Sequence, residues 1–130
     1  MRPQIFQLAR FAVVGASNTA ITLASYAALV MLGAPAVAAS AVGFALGAAN
    51  GYHWNRRWTF RSDRRGAVTC ARYVSVQLAG LGLNALGVAV AVGPAAVPRL
   101  AGEVVILPFV TVTTFVLSRS WVFPPPVRHR

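Results

Sequence analysis

The sequence has no lysine, only two acidic residues, Asp63 and Glu103, and a single cysteine, Cys70. One cysteine excludes an intrachain disulfide and a metal cluster built on thiolates. The two acids, two histidines and one cysteine lie far apart along the chain, so no catalytic pair and no set of metal ligands is visible. We therefore expect a protein that is not an enzyme and that needs neither a metal nor a cofactor.

Charge is scarce throughout the chain. Charged residues make up 11% of the sequence and hydrophobic residues 57%, whereas typical soluble domains contain about 25% charged residues. A small soluble fold has much surface to cover with polar groups, so this composition predicts an integral membrane protein. The net charge of +10 would suit a nucleic-acid-binding protein. However, the stretches between the arginine clusters are nearly uncharged and leave no room for a soluble nucleic-acid-binding fold. We expect no nucleic-acid partner.

Long uncharged stretches define the predicted membrane spans. Residues 11–52 carry no formal charge, which is about twice the length needed to cross a bilayer, and "GAP" at 33–35 breaks the stretch. Backbone groups in lipid are satisfied within helices. The predicted fold is therefore all-α, with four transmembrane helices near residues 11–32, 36–53, 73–92 and 100–117. A cleaved signal peptide is the alternative for the first segment, which is longer than the usual signal core of about 7–15 residues.

The arginines predict the orientation of these helices. Eleven of the twelve lie at the N-terminus, in the middle segment or at the C-terminus, and only Arg99 lies elsewhere. Short arginine-rich loops stay in the cytoplasm. Both termini and the middle loop are therefore predicted to be cytoplasmic.

The sequence also repeats itself. "RF" at 10–11 and "RY" at 72–73 open the first and third spans, while "RRWTF" at 56–60 and "RSWVF" at 119–123 follow the second and fourth. The offsets are 62 and 63 residues. Residues 10–60 and 72–123 are thus predicted to be two helical hairpins within one membrane domain, residues 1–130. Each has an even number of spans, which predicts parallel rather than inverted repeats.

Four segments carry a resemblance: "RFAVVGASNTA" at 10–20, "NRRWTF" at 55–60, "RYVSVQ" at 72–77 and "SRSWVF" at 118–123. They resemble the GtrA-like family of small bacterial inner-membrane proteins. The resemblance implies translocation of a polyprenyl-phosphate-linked sugar, or assistance to it, in cell-surface polysaccharide synthesis. It also permits a non-catalytic anchor that recruits a polyprenyl-phosphate glycosyltransferase. Ser118 stands where the family usually has Asn.

The arginines after the second and fourth spans are the first candidate site residues. Guanidinium groups bind phosphate oxygens bidentately, and Arg56, Arg57 and Arg119 would lie at the level of a lipid phosphate. General attraction to anionic lipid, about 1 kcal/mol for each arginine, is the alternative. The aromatic residues of the same motifs are expected to hold the helix ends at the interface or to line the mouth of a lipid groove: Trp58, Phe60, Trp121 and Phe123.

Polar side chains inside the spans either tie helices together or form a path for a sugar or phosphate. Asn18, Thr22 and Asn84 are the candidates. Glu103 is the one acid within a predicted span, where a charge is costly and therefore a functional candidate. Pairing with Arg99, four residues earlier, is the structural alternative.

Small residues predict close helix packing. Gly43, Gly47 and Gly51 recur every fourth residue, a spacing that lets a second helix approach, either within the chain or across a dimer. The chain is too small to enclose a polyprenyl tail, so we expect a homodimer or a complex with a glycosyltransferase. A small multidrug-type exporter is a remote alternative, because such exporters rely on an acid in the first span and residues 11–32 contain none.

Overall fold

The computed structural model describes residues 2–127, apart from the side chains of residues 2, 92, 99, 100 and 103. Over these residues the chain is helical and contains no strand. The helices are α1 (Arg2–Met31), α2 (Ala36–Trp54), α3 (Ala67–Val92) and α4 (Arg99–Leu117). A π-helical turn continues α2 over Asn55–Thr59, and a second continues α4 over Ser118–Val122.

Three segments of the described chain are long and apolar enough to cross a membrane: Pro3–Met31, Ala67–Ala91 and Val104–Val122. The helix outside this set, α2, is less apolar because it is rich in Ala and Gly and ends with Asn50, Tyr52 and His53. The all-helical membrane fold is thus confirmed. A fourth span formed by α2 stays a prediction.

The first helix of each pair extends beyond the predicted membrane span. α1 begins at Arg2 rather than near residue 11, and α3 begins at Ala67 rather than near residue 73. The predicted spans began at the first uncharged residue, whereas a helix satisfies its own backbone and can continue into the headgroup region. Arg10 and Arg72 consequently lie inside helices. The predicted bounds of α2 and α4 agree with the structure to within one residue.

The chain divides into two compact units, Met1–Asp63 and Arg64–Arg130. Unit 1 contains α1, α2 and the first π turn, and unit 2 contains α3, α4 and the second π turn. In each unit a short loop joins two helices that pack against each other as a hairpin.

The two hairpin loops have similar backbone conformations, although their residues differ. Pro35 precedes α2 with φ −58° and ψ 142°, and Pro98 precedes α4 with φ −55° and ψ 143°. Two residues before each proline the backbone is left-handed, with φ 92° at Gly33 and φ 53° at Ala96. An L-residue in this region brings its Cβ too close to the following carbonyl oxygen, at a cost of about 1–2 kcal/mol. Glycine avoids this cost in unit 1, and alanine bears it in unit 2.

Replacing Ala96 by glycine is therefore expected to stabilise unit 2. The gain from relieved backbone strain exceeds the added chain entropy of glycine, so we expect the free energy of unfolding to rise by about 0.5–1 kcal/mol. Denaturant titration of the purified chain in detergent micelles measures it. Gly33→Ala is the matched control, with the opposite sign expected. A loss of stability in Ala96→Gly would contradict the strain argument.

Close packing in unit 1 depends on the glycines of α2. A Cβ at Gly43 would lie 2.8 Å from the Thr22 carbonyl oxygen, and one at Gly47 would collide with the Thr22 hydroxyl. That hydroxyl donates to the Gly43 carbonyl oxygen at 3.1 Å. Gly43 and Gly47 therefore pack against α1 within the chain, as the first of the two predicted alternatives requires.

In unit 2 the closely packed glycines Gly80 and Gly87 lie on the first helix, α3, rather than on the second. A Cβ at Gly80 of α3 would lie 2.6 Å from Cγ2 of Thr114, and one at Gly87 would lie 2.8 Å from Cγ2 of Ile106. The first helix of the pair thus provides the space, and the second provides the branched side chains that fill it. Both units achieve close contact, but from opposite sides.

A side chain at position 47 is expected to disrupt unit 1. Gly47→Val overfills the contact with Thr22 and should lower the free energy of unfolding by about 1–3 kcal/mol. Thr22→Ala removes the group that collides and should recover part of this loss, which a double-mutant cycle in detergent unfolding measures. Ala45→Val, at an exposed position of the same helix, is the control. Strict additivity of the two substitutions would contradict direct contact.

Candidate functional site

The Arg-x-Trp-x-Phe motifs lie in the two π turns. The Phe60 backbone N–H donates to the Asn55 carbonyl oxygen at 2.8 Å, and the Phe123 N–H donates to the Ser118 carbonyl oxygen at the same distance. Each bond links residues five apart, which defines a π turn. Such wide turns occur at helix C-termini, and they leave the following carbonyl groups without a partner in the helix.

An arginine from the first helix satisfies one of these carbonyl groups in unit 1. Arg10 Nη1 donates to the Trp58 carbonyl oxygen at 3.2 Å. Its Cζ also lies 5.4 Å from the centroid of the Trp58 ring, within the range of a cation–π contact. A cation at the C-terminal end of a helix is favourable because the helix dipole is negative there. One side chain thus makes three interactions with the end of α2.

Unit 2 contains the same arrangement. Arg72 Nη1 donates to the Trp121 carbonyl oxygen at 3.4 Å, and its Cζ lies 5.4 Å from the Trp121 ring centroid. We call this pairing of an arginine with a tryptophan the arginine clasp. Both clasps close the end of a hairpin that is remote from its loop.

An aromatic pair lies beside each clasp. The rings of Phe11 and Phe60 have centroids 6.1 Å apart, and those of Tyr73 and Phe123 are 6.2 Å apart. Phe123 is only 2% exposed. The phenylalanines of the motifs therefore pack inward against the first helix, whereas Trp58 and Trp121 remain substantially exposed.

The interiors of the two π turns differ. In unit 1 the buried Thr59 hydroxyl donates to Oδ1 of the buried Asn55 at 2.9 Å. The corresponding residues 63 positions later are Ser118 and Val122, and the fully buried Ser118 hydroxyl has no hydrogen-bond partner among the described residues. The departure from Asn at position 118 therefore removes a side-chain hydrogen bond from the second π turn.

The three predicted phosphate-binding arginines lie on the π turns. Arg56 is half-buried, and its Nη1 is 3.5 Å from the Ser62 carbonyl oxygen. Arg57 is exposed, and Arg119 is half-buried at the corresponding position of unit 2. Arg56 and Arg57 thus lie on the same turn as the first clasp, one or two residues before Trp58.

The intramembrane polar candidates have different surroundings. Asn18 accepts a hydrogen bond from Nδ2 of Asn50 at 2.8 Å, and the same Nδ2 is 2.9 Å from the Ser17 hydroxyl. Thr22 is bonded to α2, as described above. In unit 2 the position of Asn50 is taken by Thr113, whose hydroxyl donates to its own helix at Phe109.

Asn84 lies on α3 and is half-buried, with its Oδ1 atom accepting no hydrogen bond from the described residues. The predicted alternatives for Glu103, a functional acid or a partner of Arg99, lie outside the described side chains.

Arg10, Arg72 and Asn50 were not among the predicted site residues. The repeat contained a signal for the two arginines, because they recur at 62 residues while the tryptophans recur at 63. Residues that recur together at nearly one offset are candidates for mutual contact. The Asn18–Asn50 contact left no such signal, since unit 2 lacks both amides.

A family model, the GtrA/DPMS transmembrane domain, matches residues 10–123. The chain belongs to this family. The match begins at the arginine of the first clasp and ends at the phenylalanine beside the second, so it covers both clasps. No curated protein matches the chain significantly. As a member of the GtrA/DPMS family with several apolar helices, the protein is a membrane protein.

The arginine clasp of this GtrA/DPMS chain is testable by neutralising Arg10. Arg10→Gln removes the helix-dipole and cation–π contributions and should lower the free energy of unfolding by about 1–2 kcal/mol. Unfolding in detergent, followed by tryptophan fluorescence, measures the loss. Arg57→Gln, at an exposed position of the first π turn, is the charge-matched control. Equal effects of the two substitutions would show that net charge, rather than the clasp, stabilises the hairpin.

Proposed function

We propose that this chain translocates a polyprenyl-phosphate-linked sugar, or assists its translocation, during cell-surface polysaccharide synthesis. The observation that carries the proposal is the match to the GtrA/DPMS transmembrane domain over residues 10–123. The repeated placement of Arg56 and Arg119 on π turns supports it, because each hairpin then presents a guanidinium group at its end. Guanidinium groups suit phosphate oxygens in geometry and charge.

The proposal includes a membrane arrangement. All four helices cross the bacterial inner membrane, with both termini and the segment between the units in the cytoplasm, as the clustered arginines favour. A lipid phosphate at the cytoplasmic surface then has the same depth as Arg56, Arg57 and Arg119. The sugar moves past the polar groups between α1 and α2, where the Asn18–Asn50 pair offers amide donors and acceptors to hydroxyl groups.

The chain performs this role without catalysis or a cofactor, as a homodimer or together with the glycosyltransferase that makes the lipid. A second role is open to the same protein: a membrane adaptor that positions this glycosyltransferase. Membership of the GtrA/DPMS family supports both roles equally.

Reconstitution in liposomes distinguishes the two roles. A fluorescent polyprenyl-phosphate sugar is placed in both leaflets, and a membrane-impermeant reductant bleaches the outer one. Translocation makes the whole pool accessible, whereas protein-free liposomes protect about half. For Arg56→Ala combined with Arg119→Ala, we expect the rate to fall at least tenfold, because two charge-assisted phosphate contacts are lost.

Arg65→Ala, which removes an exposed arginine outside both π turns, is the control for a general loss of positive charge and should retain the original rate. If the unaltered chain translocates no faster than protein-free liposomes while a glycosyltransferase co-purifies with it from native membranes, the adaptor role replaces the transport role.

A further inference from the structure

An open cleft with a volume of about 330 Å³ lies in unit 1, between the first turns of α1 and the residues that follow the first π turn. Pro3, Phe6 and Phe60 form its apolar wall. Gln7, Arg10 and Arg61 form its polar side. The α1 residues of this cleft are spaced three, four and seven apart, so they share one face of the helix.

The two arginines leave donors available to a ligand. A guanidinium group has five N–H donors, and Arg10 directs one of its terminal nitrogens to the Trp58 carbonyl oxygen. Arg61 is exposed and forms no hydrogen bond or ion pair with any described residue. None of the described residues that line the cleft is acidic. The cleft therefore has a net positive charge without internal compensation.

The backbone at Arg61 is held in an unfavourable conformation. Its φ of 48° is left-handed, which costs a residue with a Cβ about 1–2 kcal/mol. The neighbouring Ser62 N–H donates to the Arg56 carbonyl oxygen at 2.8 Å and so fixes the chain after the π turn. Glycine would relieve the strain, yet an arginine occupies the position. Ala96 has the same strain in a hairpin loop, but Arg61 also lines a cleft, where such strain is typical of a functional site.

Unit 2 has the same clasp but no arginine at the position that corresponds to Arg61. Counted by the repeat offset of 63, the positions of Thr59 and Arg61 are taken by Val122 and Pro124. The second cation is therefore not needed to build a π turn or a clasp. Its presence in unit 1 alone indicates a role that the two units do not share.

We propose that this cleft binds the phosphate group of a membrane lipid, with the phosphate between Arg10 and Arg61 and the adjoining apolar part of the lipid against Phe6 and Phe60. Arg10 immediately precedes the uncharged stretch that begins at Phe11, so the cleft lies at the depth of lipid headgroups. Mixed apolar and cationic walls match a lipid phosphate better than a free anion. The site is separate from Arg56, Arg57 and Arg119, and it stands whether or not the chain translocates a lipid.

Native mass spectrometry of the purified chain in detergent tests the site with three probes. These are dioleoyl phosphatidic acid, dioleoyl phosphatidylcholine and inorganic phosphate. We expect phosphatidic acid to bind at least fivefold more than phosphatidylcholine. Arg61→Ala should lower the binding of phosphatidic acid at least fivefold, whereas Arg65→Ala, another exposed arginine of the middle segment, should leave it within twofold.

Arg61→Gly is the control for a loss of binding that is caused by misfolding. Glycine relieves the left-handed strain while removing the guanidinium group, so this variant should unfold no more readily than the original chain and yet bind phosphatidic acid as weakly as Arg61→Ala. Equal binding in the Arg61 and Arg65 variants would overturn the site. Displacement of phosphatidic acid by equimolar inorganic phosphate would overturn the lipid as its source and assign the cleft to a free phosphate.

Discussion

The end of the second helix in each hairpin depends on an arginine that the first helix supplies. A helix that ends in a π turn leaves carbonyl groups without a partner in the helix. Arg10 and Arg72 provide the donor and the positive charge together, while the adjacent tryptophan ring covers the guanidinium group. The loop closes each hairpin at one end and the clasp closes it at the other. The aromatic pairs and the phosphate cleft of unit 1 are arranged around this closure.

Both units have an arginine clasp at the end of the hairpin, but their interiors differ. Unit 1 has an Asn55–Thr59 bond, an Asn18–Asn50 bond and a cationic cleft. Unit 2 has Ser118, Val122 and Pro124 at the places of Asn55, Thr59 and Arg61, and Thr113 at the place of Asn50. Duplication preserves what holds a hairpin together, because the clasp serves the same backbone need twice. The proposed phosphate cleft, by contrast, is specific to unit 1, since Pro124 stands at the place of Arg61.

Much of the fold could be predicted from the sequence. Membrane class, helix positions and the repeat follow from uncharged stretches, from Gly33 and Pro35, and from motifs at offsets of 62 and 63 residues. α1 and α3 begin before the predicted spans, because a span is bounded by charge whereas a helix is bounded by its backbone hydrogen bonds. The close packing of Gly43 and Gly47 was predicted from spacing, while its partner was left open between the chain itself and a second copy. The contact with Thr22 decided it.

The candidate site shows the same division. The sequence by itself determined which kinds of residue lie at the ends of the two hairpins. These are arginines and aromatic residues, with few acids to neutralise the arginines. Only the tertiary structure decided which arginine does what, because Arg10 and Trp58 are separated by 48 residues and meet through the packing of two helices. The left-handed backbone at Arg61 is likewise visible only in the structure, since no local pattern marks it. Composition is a property of the chain alone, whereas the pairing of remote groups depends on how its helices pack.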